Sequence, residues 1–346
     1  MSFLIISMVF LNDFSNTEIY KPLNTRQVAI SESGNVFILD RDENRVLIYD
    51  NQGSFRKTFG QKGEGPGEFN RVYWIKVMQG QLYVHDRKGL SVFNLEGDFK
   101  ERVVSSGGRT NMEPVQNGWL VRKYSFNQEK NSSLSEFCVL DMDQNELLVL
   151  GEYSREMEVF SSKNPTMKFN PVEVYPNCMT DQTGTYIVSK GKEDFPITIY
   201  KMVPMPKKVF EIKLSDRKVI PFNEEWADGI LTKIQKTLKD VSYEADYPKS
   251  FPLVQGVGIS PDNQLAISLW SKDPDKPETL LYDWTGKLLP RTYTPTFMFR
   301  VLFIRDEIAY VGSYDEENED YILKKMPVKD CAKYIEQFPY TEDFDY

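Results

Sequence analysis

The chain predicts an all-β fold, a six-bladed β-propeller of four-stranded antiparallel blades. One amphipathic helix is inserted at about 222–241, and an N-terminal strand closes the last blade. Three observations lead there. The stretch Asn35 to Phe69 reads NVFILDRDENRVLIYDNQGSFRKTFGQKGEGPGEF, three short apolar runs parted by polar turns and followed by a glycine-rich crossing. Weaker copies of this unit recur along the chain. A pattern of apolar run, short polar turn and second apolar run occurs six times. Repeats of this length mark propellers or solenoids.

Within the clearest unit, Val36 to Leu39 is β-branched and aromatic, which suits a strand. Asp40 to Asn44 is polar and ends it. Val46 to Tyr49 is the next strand. Asp50-Asn51-Gln52-Gly53 is a turn, because Asp and Asn bond their own backbone and Gly accepts positive φ. Phe55 to Phe59 alternates with Arg56, Lys57 and Thr58, as an outer, half-exposed strand does. Gly60, Gly63, Gly65, Pro66 and Gly67 then cross to the next unit.

These residues resemble an NHL-type repeat. The strand ending in Asp40, the Asn44-Arg45-Val46 run, the Tyr49-Asp50 pair, Gly53 and the Gly-x-Gly-Pro-Gly-Glu-Phe run ending at Phe69 together are similar to six-bladed propellers of Bacteroidota, of the NHL-repeat and TolB-like type. The resemblance is strong over Asn35 to Phe69 and fades beyond it. It implies an exported protein of the periplasm or cell envelope. The alternative is the cytoplasm, since no lipid-accepting Cys and no recognisable signal stands near the start.

Taken in order, Ser2 to Leu11 (SFLIISMVFL) has no basic flank and no small-residue cleavage site, and it is short for a membrane span. It reads as a buried strand, with a degraded signal segment as the alternative. The six hairpins are Val28 to Val36, Trp74 to Leu82, Met112 to Trp119, Asn177 to Tyr186, Val257 to Leu265 and Val301 to Ile308. Their turns contain Ser33-Gly34, Gln79-Gly80, Asn117-Gly118, Thr183-Gly184, Asp262-Asn263 and Asp306-Glu307. Third strands follow at Val46–Tyr49, Leu90–Phe93, Phe137–Leu140, Ile197–Tyr200, Leu280–Tyr282 and Tyr321–Leu323. Fourth strands are read at Phe55–Phe59, Phe99–Val104, Leu147–Tyr153, Val209–Leu214 and Leu288–Tyr293. Gly53, Gly97 and Gly286 occupy corresponding turns.

The sixth blade thus lacks a fourth strand. The segment with Pro327 and Pro339 reads as a tail over 329–346, so Ser2 to Leu11 is the expected donor, and the propeller domain spans 1–328. Closure of this kind protects edges that would pair with other chains. Phe222 to Val241 breaks the rhythm. Trp226, Ile230, Ile234, Leu238 and Val241 fall on one helical face, Asn223 is the expected N-cap, and Glu224 and Glu225 fill the first turn. The helix is expected to pack on the propeller, with a lid or partner-binding role as the alternative.

Composition narrows the function. The 346 residues are 40% hydrophobic and 13% aromatic, as for a globular chain. The net charge of −9 disfavours nucleic acid and anionic membrane as main partners. Cys138, Cys178 and Cys331 lack metal-type spacing, and Cys138 sits in an apolar run. His85 is the single histidine, which excludes His-rich zinc sites and leaves Ser-His or Cys-His chemistry no other base. The Gly60–Gly67 run has no Lys-Ser or Lys-Thr and no following helix, so it is not a phosphate loop.

In a four-stranded blade the second-to-third-strand loops and the crossings emerge on one face. That face is expected to carry Asp40, Arg41, Asp86, Arg87, Arg122, Tyr124, Lys190, Trp270, Tyr314 and Asp315. Loops on rigid scaffolds carry function, and this mixture of charge and aromatics suits a binding groove. The leading expectation is a non-catalytic binding or interaction propeller for a protein, peptide or carbohydrate, without metal or other cofactor and without a transmembrane span. The alternative follows from six-bladed relatives of the gluconolactonase type. It is a metal-dependent lactonase-like hydrolase with channel carboxylates, for which Asn177, Glu113 and Asp181 are the nearest candidates.

Overall fold

A computed structural model describes residues 28–104, 110–127, 132–156, 166–169, 172, 177–191, 196–214, 217–237, 242–274, 276–294, 301–315 and 320–337. The fold is an all-β six-bladed propeller built of antiparallel, four-stranded blades. Two compact units divide it, residues 1–104 with 296–346, and residues 105–295.

The first unit holds the first, second and sixth blades. The first blade is β1 (Val28–Ile30), β2 (Val36–Asp40), β3 (Arg45–Tyr49) and β4 (Phe55–Phe59). The second is β5 (Val72–Met78), β6 (Gln81–Asp86), β7 (Gly89–Asn94) and β8 (Phe99–Val103). Each has its strands hydrogen-bonded in sequence order.

Strand β2 shows why the central runs are apolar throughout. Side chains alternate between faces of a strand. Phe37 and Leu39 join a core with Ile75, Leu82, Val84 and Phe93 of the second blade and Phe69 of the crossing. Val36 and Ile38 turn the other way and pack on Tyr310 and Leu323 of the sixth blade. Both faces are therefore buried, each large side chain contributing about 1.5–3 kcal/mol. Outer strand β4 has a wet face and alternates accordingly.

The second unit holds the other blades. The third is β9 (Thr110–Val115), β10 (Gly118–Asn127), β11 (Ser132–Leu140) and β12 (Glu146–Glu156). Strand β13 (Thr166–Phe169) follows. The fourth blade is β14 (Asn177–Thr180), β15 (Tyr186–Lys190), β16 (Ile197–Lys201) and β17 (Lys207–Ile212). Helix α1 (Glu224–Thr237) and β18 (Ser242–Ala245) precede the fifth blade of β19 (Val254–Ile259), β20 (Leu265–Leu269) and β21 (Glu278–Tyr282). Strands β13 and β18 pair in parallel, a small sheet that the sequence pattern did not reveal. Strand β15 repeats the logic of β2. Ile187 packs with Val115, Leu120 and Val139 of the third blade, and Val188 with Leu265 and Ile267 of the fifth.

Two expectations are corrected. The run Leu288–Tyr293 meets its neighbour through a single bridge, Tyr282 to Leu288, and one further backbone bond from Leu289 to Leu281, and Leu288 is half exposed. It is not a full ladder, because Pro290 has no N–H to donate. The inserted helix expected at about 222–241 is present as α1, Glu224–Thr237, and residues 238–241 lie outside the described residues. Asn223 caps it as expected, its Oδ1 accepting from the Trp226 amide at 3.0 Å. The sixth blade, β22 (Val301–Arg305), β23 (Ile308–Asp315) and β24 (Asp320–Pro327), is followed by helix α2 (Val328–Gln337) where a tail was expected. Cys331 and Ile335 are its buried residues. Arg305 of this blade donates to the Ser31 carbonyl at 2.8 Å, which ties the last blade to the first. The expected closing strand, residues 2–11, lies outside the described residues.

Candidate functional site

The carboxylates that end the second strands are turn anchors. Asp40 is buried and accepts from the Glu43 amide at 3.2 Å and from Arg45 Nε at 3.0 Å. Asp86, also buried, accepts from the amides of Asn70, Lys88 and Gly89 at 2.7, 2.8 and 3.1 Å, with Arg102 Nη2 3.7 Å away. Arg41 and Arg87 beside them are exposed. Arg41 Nε donates to the Val72 carbonyl, and the Arg87 amide to that of Asn70. The glycine-rich crossing is filled from within. Glu68 accepts from the Gly65 amide and from Gln61 Nε2, both at 2.8 Å. Its own carboxylate occupies the place that a phosphate would need.

In the second unit, β10 presents Arg122 and Tyr124 on the face turned to the fourth blade, as Leu120 shows by packing there. Arg122 Cζ lies 4.5 Å from the ring centroid of Tyr124 and 5.1 Å from that of Phe137, its neighbour across β11. Arg122 Nη2 donates to Ser135 Oγ at 3.3 Å, while Nε is buried and meets no acceptor among the described residues. No carboxylate pairs with this guanidinium among the described residues. Tyr124 is 41% exposed. Burial pushes the Tyr124 phenol up, and Arg122 opposes that shift. Asn111, exposed, is the register partner of Arg122 on β9.

Polar side chains of the third and fourth blades bond one another nearby. Thr180 Oγ1 donates to Glu113 at 3.2 Å, and Cys178 Sγ to Ser189 Oγ at 3.4 Å. Burial pushes the Cys178 thiol up to about 12, so it is no nucleophile at neutral pH. Asp181 is buried and accepts from the Tyr186 amide and Asn263 Nδ2. Asn177 is exposed at the start of β14. Glu113, Asn177 and Asp181 are the three hydrolase candidates.

Of the remaining expected site residues, Lys190 is buried and shares the face of Val188, turned to the fifth blade and away from Arg122. Trp270 is buried against Phe251, at 4.8 Å, and Trp226 of α1, at 5.5 Å between centroids, and serves as the platform for that helix. Tyr314 and Asp315 end β23, in register with Tyr321 and Asp320. Among the described side chains, the structure brings Arg122 and Tyr124 of the ten into a cation–π contact. Ser135, Phe137 and Asn111 complete their surroundings and were not singled out from the sequence; the pairing register of β9, β10 and β11 is the signal that finds them.

On the other face of the third blade, Glu136, Cys138 and Glu146 converge within 4.8 Å. Lys123 Nζ already lies 2.9 Å from both carboxylates, and their hydrogen bonds hold its ammonium well above the usual range. Lysine thus supplies the cation, and burial pushes the Cys138 thiol up.

Fold and patch together define a β-propeller with a half-buried cation set among aromatic rings. Residues 22–218 match the DUF5128 family, described as a 6-bladed beta-propeller, and the chain belongs to that family. Similar solved structures include a candidate exported protein from Bacteroides fragilis, at 14% identity over 92% of this chain and 94% of that one, TM-score 0.49. A DUF4221 family member from Bacteroides vulgatus aligns at 9% identity over 87% and 92%, TM-score 0.43. Regucalcin, a calcium-binding protein from Agrobacterium tumefaciens, aligns at 8% identity over 89% and 90%, TM-score 0.37. No functionally curated protein matches the sequence. Among the described residues no helix is long and apolar enough to cross a membrane.

Proposed function

We propose that the protein is a non-catalytic binding propeller of the cell envelope, whose ligand contacts the third blade at Arg122 and Tyr124. The observation that carries this reading is the Arg122 guanidinium, stacked on two aromatic rings, half buried and with no carboxylate partner among the described residues. A desolvated charge left unpaired costs stability, and an external partner offsets that cost. The envelope location rests on the resemblance to exported Bacteroidota propellers carried by Asn35 to Phe69. Lys190 and Trp270 belong to the proposal as the scaffold of the unit that carries Arg122 and Tyr124, and Asp40, Arg41, Asp86, Arg87, Tyr314 and Asp315 as the scaffold of the loops of the other unit.

The test is an array of glycans and peptides probed with wild-type protein and with an Arg122→Ala/Tyr124→Ala double variant of matched thermal stability. The expected result is one class of ligand bound by the wild type and lost in the variant. Ligands retained equally by both would refute the reading.

A further inference from the structure

We propose that Arg41, Arg71 and Arg87 form a binding site for a tetrahedral oxyanion, phosphate or sulfate, free or carried as an ester. The site lies in the first unit, between the first two blades, and does not rest on the Arg122 reading.

The end of the glycine-rich crossing gathers these arginines on consecutive residues. The Arg87 amide donates to the Asn70 carbonyl at 3.0 Å, Arg71 follows in the chain, and Arg41 Nε donates to the Val72 carbonyl at 3.3 Å. Standard bond lengths then hold the Arg87 and Arg71 Cα atoms within about 7 Å of one another, and Arg41 Nε within about 10 Å of the Arg71 Cα. All three residues are exposed. Their charges are rooted within roughly one Debye length, so their potentials add.

No carboxylate pairs with any of the three among the described residues, although the chain's net charge is −9. The neighbouring acids are engaged elsewhere: Asp40 with Arg45, Glu64 with Lys88, and Asp86 with its turn amides and Arg102. Asp42 and Glu43, exposed on the turn beside Arg41, form no ion pair with the three. Arg71 is moreover held at φ +58°, where an L-residue is strained and glycine is not. Asn44 Oδ1 fixes its amide at 3.1 Å, while its guanidinium makes no hydrogen bond or ion pair among the described residues. Strain kept without an internal compensation points to an external one. Several guanidiniums suit the oxygens of phosphate or sulfate, which accept N–H donors from several directions, whereas one guanidinium satisfies a planar carboxylate.

The experiment is calorimetric titration of the full chain at one low ionic strength with inorganic phosphate, inorganic sulfate, glucose 6-phosphate, glucose 6-sulfate and, as the planar anion, acetate. At least one tetrahedral oxyanion should bind saturably and about tenfold or more tighter than acetate, the scale of one added charge-assisted hydrogen bond. An ester bound more tightly than its free ion assigns the site to the ester, and the opposite order assigns it to the free ion. Arg71→Gly separates binding from folding. It relieves the backbone, so the melting temperature should hold or rise while affinity falls about tenfold or more. Arg41→Gln and Arg87→Gln should each weaken binding, and Lys100→Gln, which removes a charge from an exposed position on β8, should not. No saturable binding at millimolar concentration, acetate bound as tightly as the oxyanions, unchanged affinity in Arg71→Gly, or an equal loss in Lys100→Gln would overturn the assignment.

Discussion

Replacing Gly60 by alanine should destabilise the first unit by about 2–5 kcal/mol. Gly60 has φ +85°, where an L-residue costs roughly 1–2 kcal/mol. A Cβ there would also fall inside the ring of Phe69, 2.7 Å from Cδ2. Phe69 is fully buried and packed on Phe93 at 5.7 Å and Phe59 at 6.4 Å, so the ring cannot swing aside. Overpacking of this kind costs about 1–3 kcal/mol. Gly80→Ala is the control: φ is +69° and nothing lies within 4 Å of the new Cβ, so only the backbone cost remains, about 1–2 kcal/mol. Urea unfolding followed by tryptophan fluorescence and circular dichroism measures both. Phe69→Leu in the Gly60→Ala background should recover part of the loss, with a coupling energy of about 1 kcal/mol or more. Equal losses at Gly60 and Gly80 with no coupling to Phe69 would refute the packing of the crossing between the first two blades.

Other outcomes follow from the same structure. Asp86→Ala should cost about 3–5 kcal/mol in equilibrium unfolding, because three amides and Arg102 lose a buried acceptor; a loss below about 1 kcal/mol would contradict the anchoring role. Burial lowers the His85 pKa from 6.5 to about 4, against the opposing pull of Asp86. The unfolded chain therefore binds the proton more readily, so this stability is complete above pH 6.5 and is lost as pH falls towards 4, in all about 3 kcal/mol. His85→Phe should flatten that part of the stability–pH curve, and an unchanged slope would count against it. Burial raises the thiols of Cys178 and Cys331 to about 12 and about 11, and that of Cys138 as well. All three should label far more slowly with a thiol reagent at pH 8 in the native protein than in urea, and rapid native labelling of any one would be inconsistent with its burial.

What the sequence made legible is what hydrophobic burial writes into it. Strands such as β2 and β15 feed two cores at once and so read as unbroken apolar runs, and the turns at Asp50 and Asp283 carry their own acceptors. Helix α1 announced itself through Asn223 and its spaced apolar residues. Helix α2 did not, because Pro327 and an acidic, aromatic tail masked the spacing of Val328, Cys331 and Ile335; yet Pro just ahead of a helix is a start signal. At the candidate site the residue types were visible but their relations were not. Asp40 and Arg122 look alike as polar residues near strand ends. Only the hydrogen bonds show that Asp40 is consumed by its own turn and that Arg122 meets no carboxylate among the described residues. Likewise Lys190 and Arg122 separate only once strand pairing shows which blade each faces.

The central claim is that Arg122 and Tyr124 form the contact surface for a ligand. A crystal structure of the protein with whichever ligand the array selects addresses it directly. Density for the ligand against the Arg122 guanidinium and the Tyr124 ring is the predicted result. Density elsewhere, with Arg122 still unpaired, would contradict it.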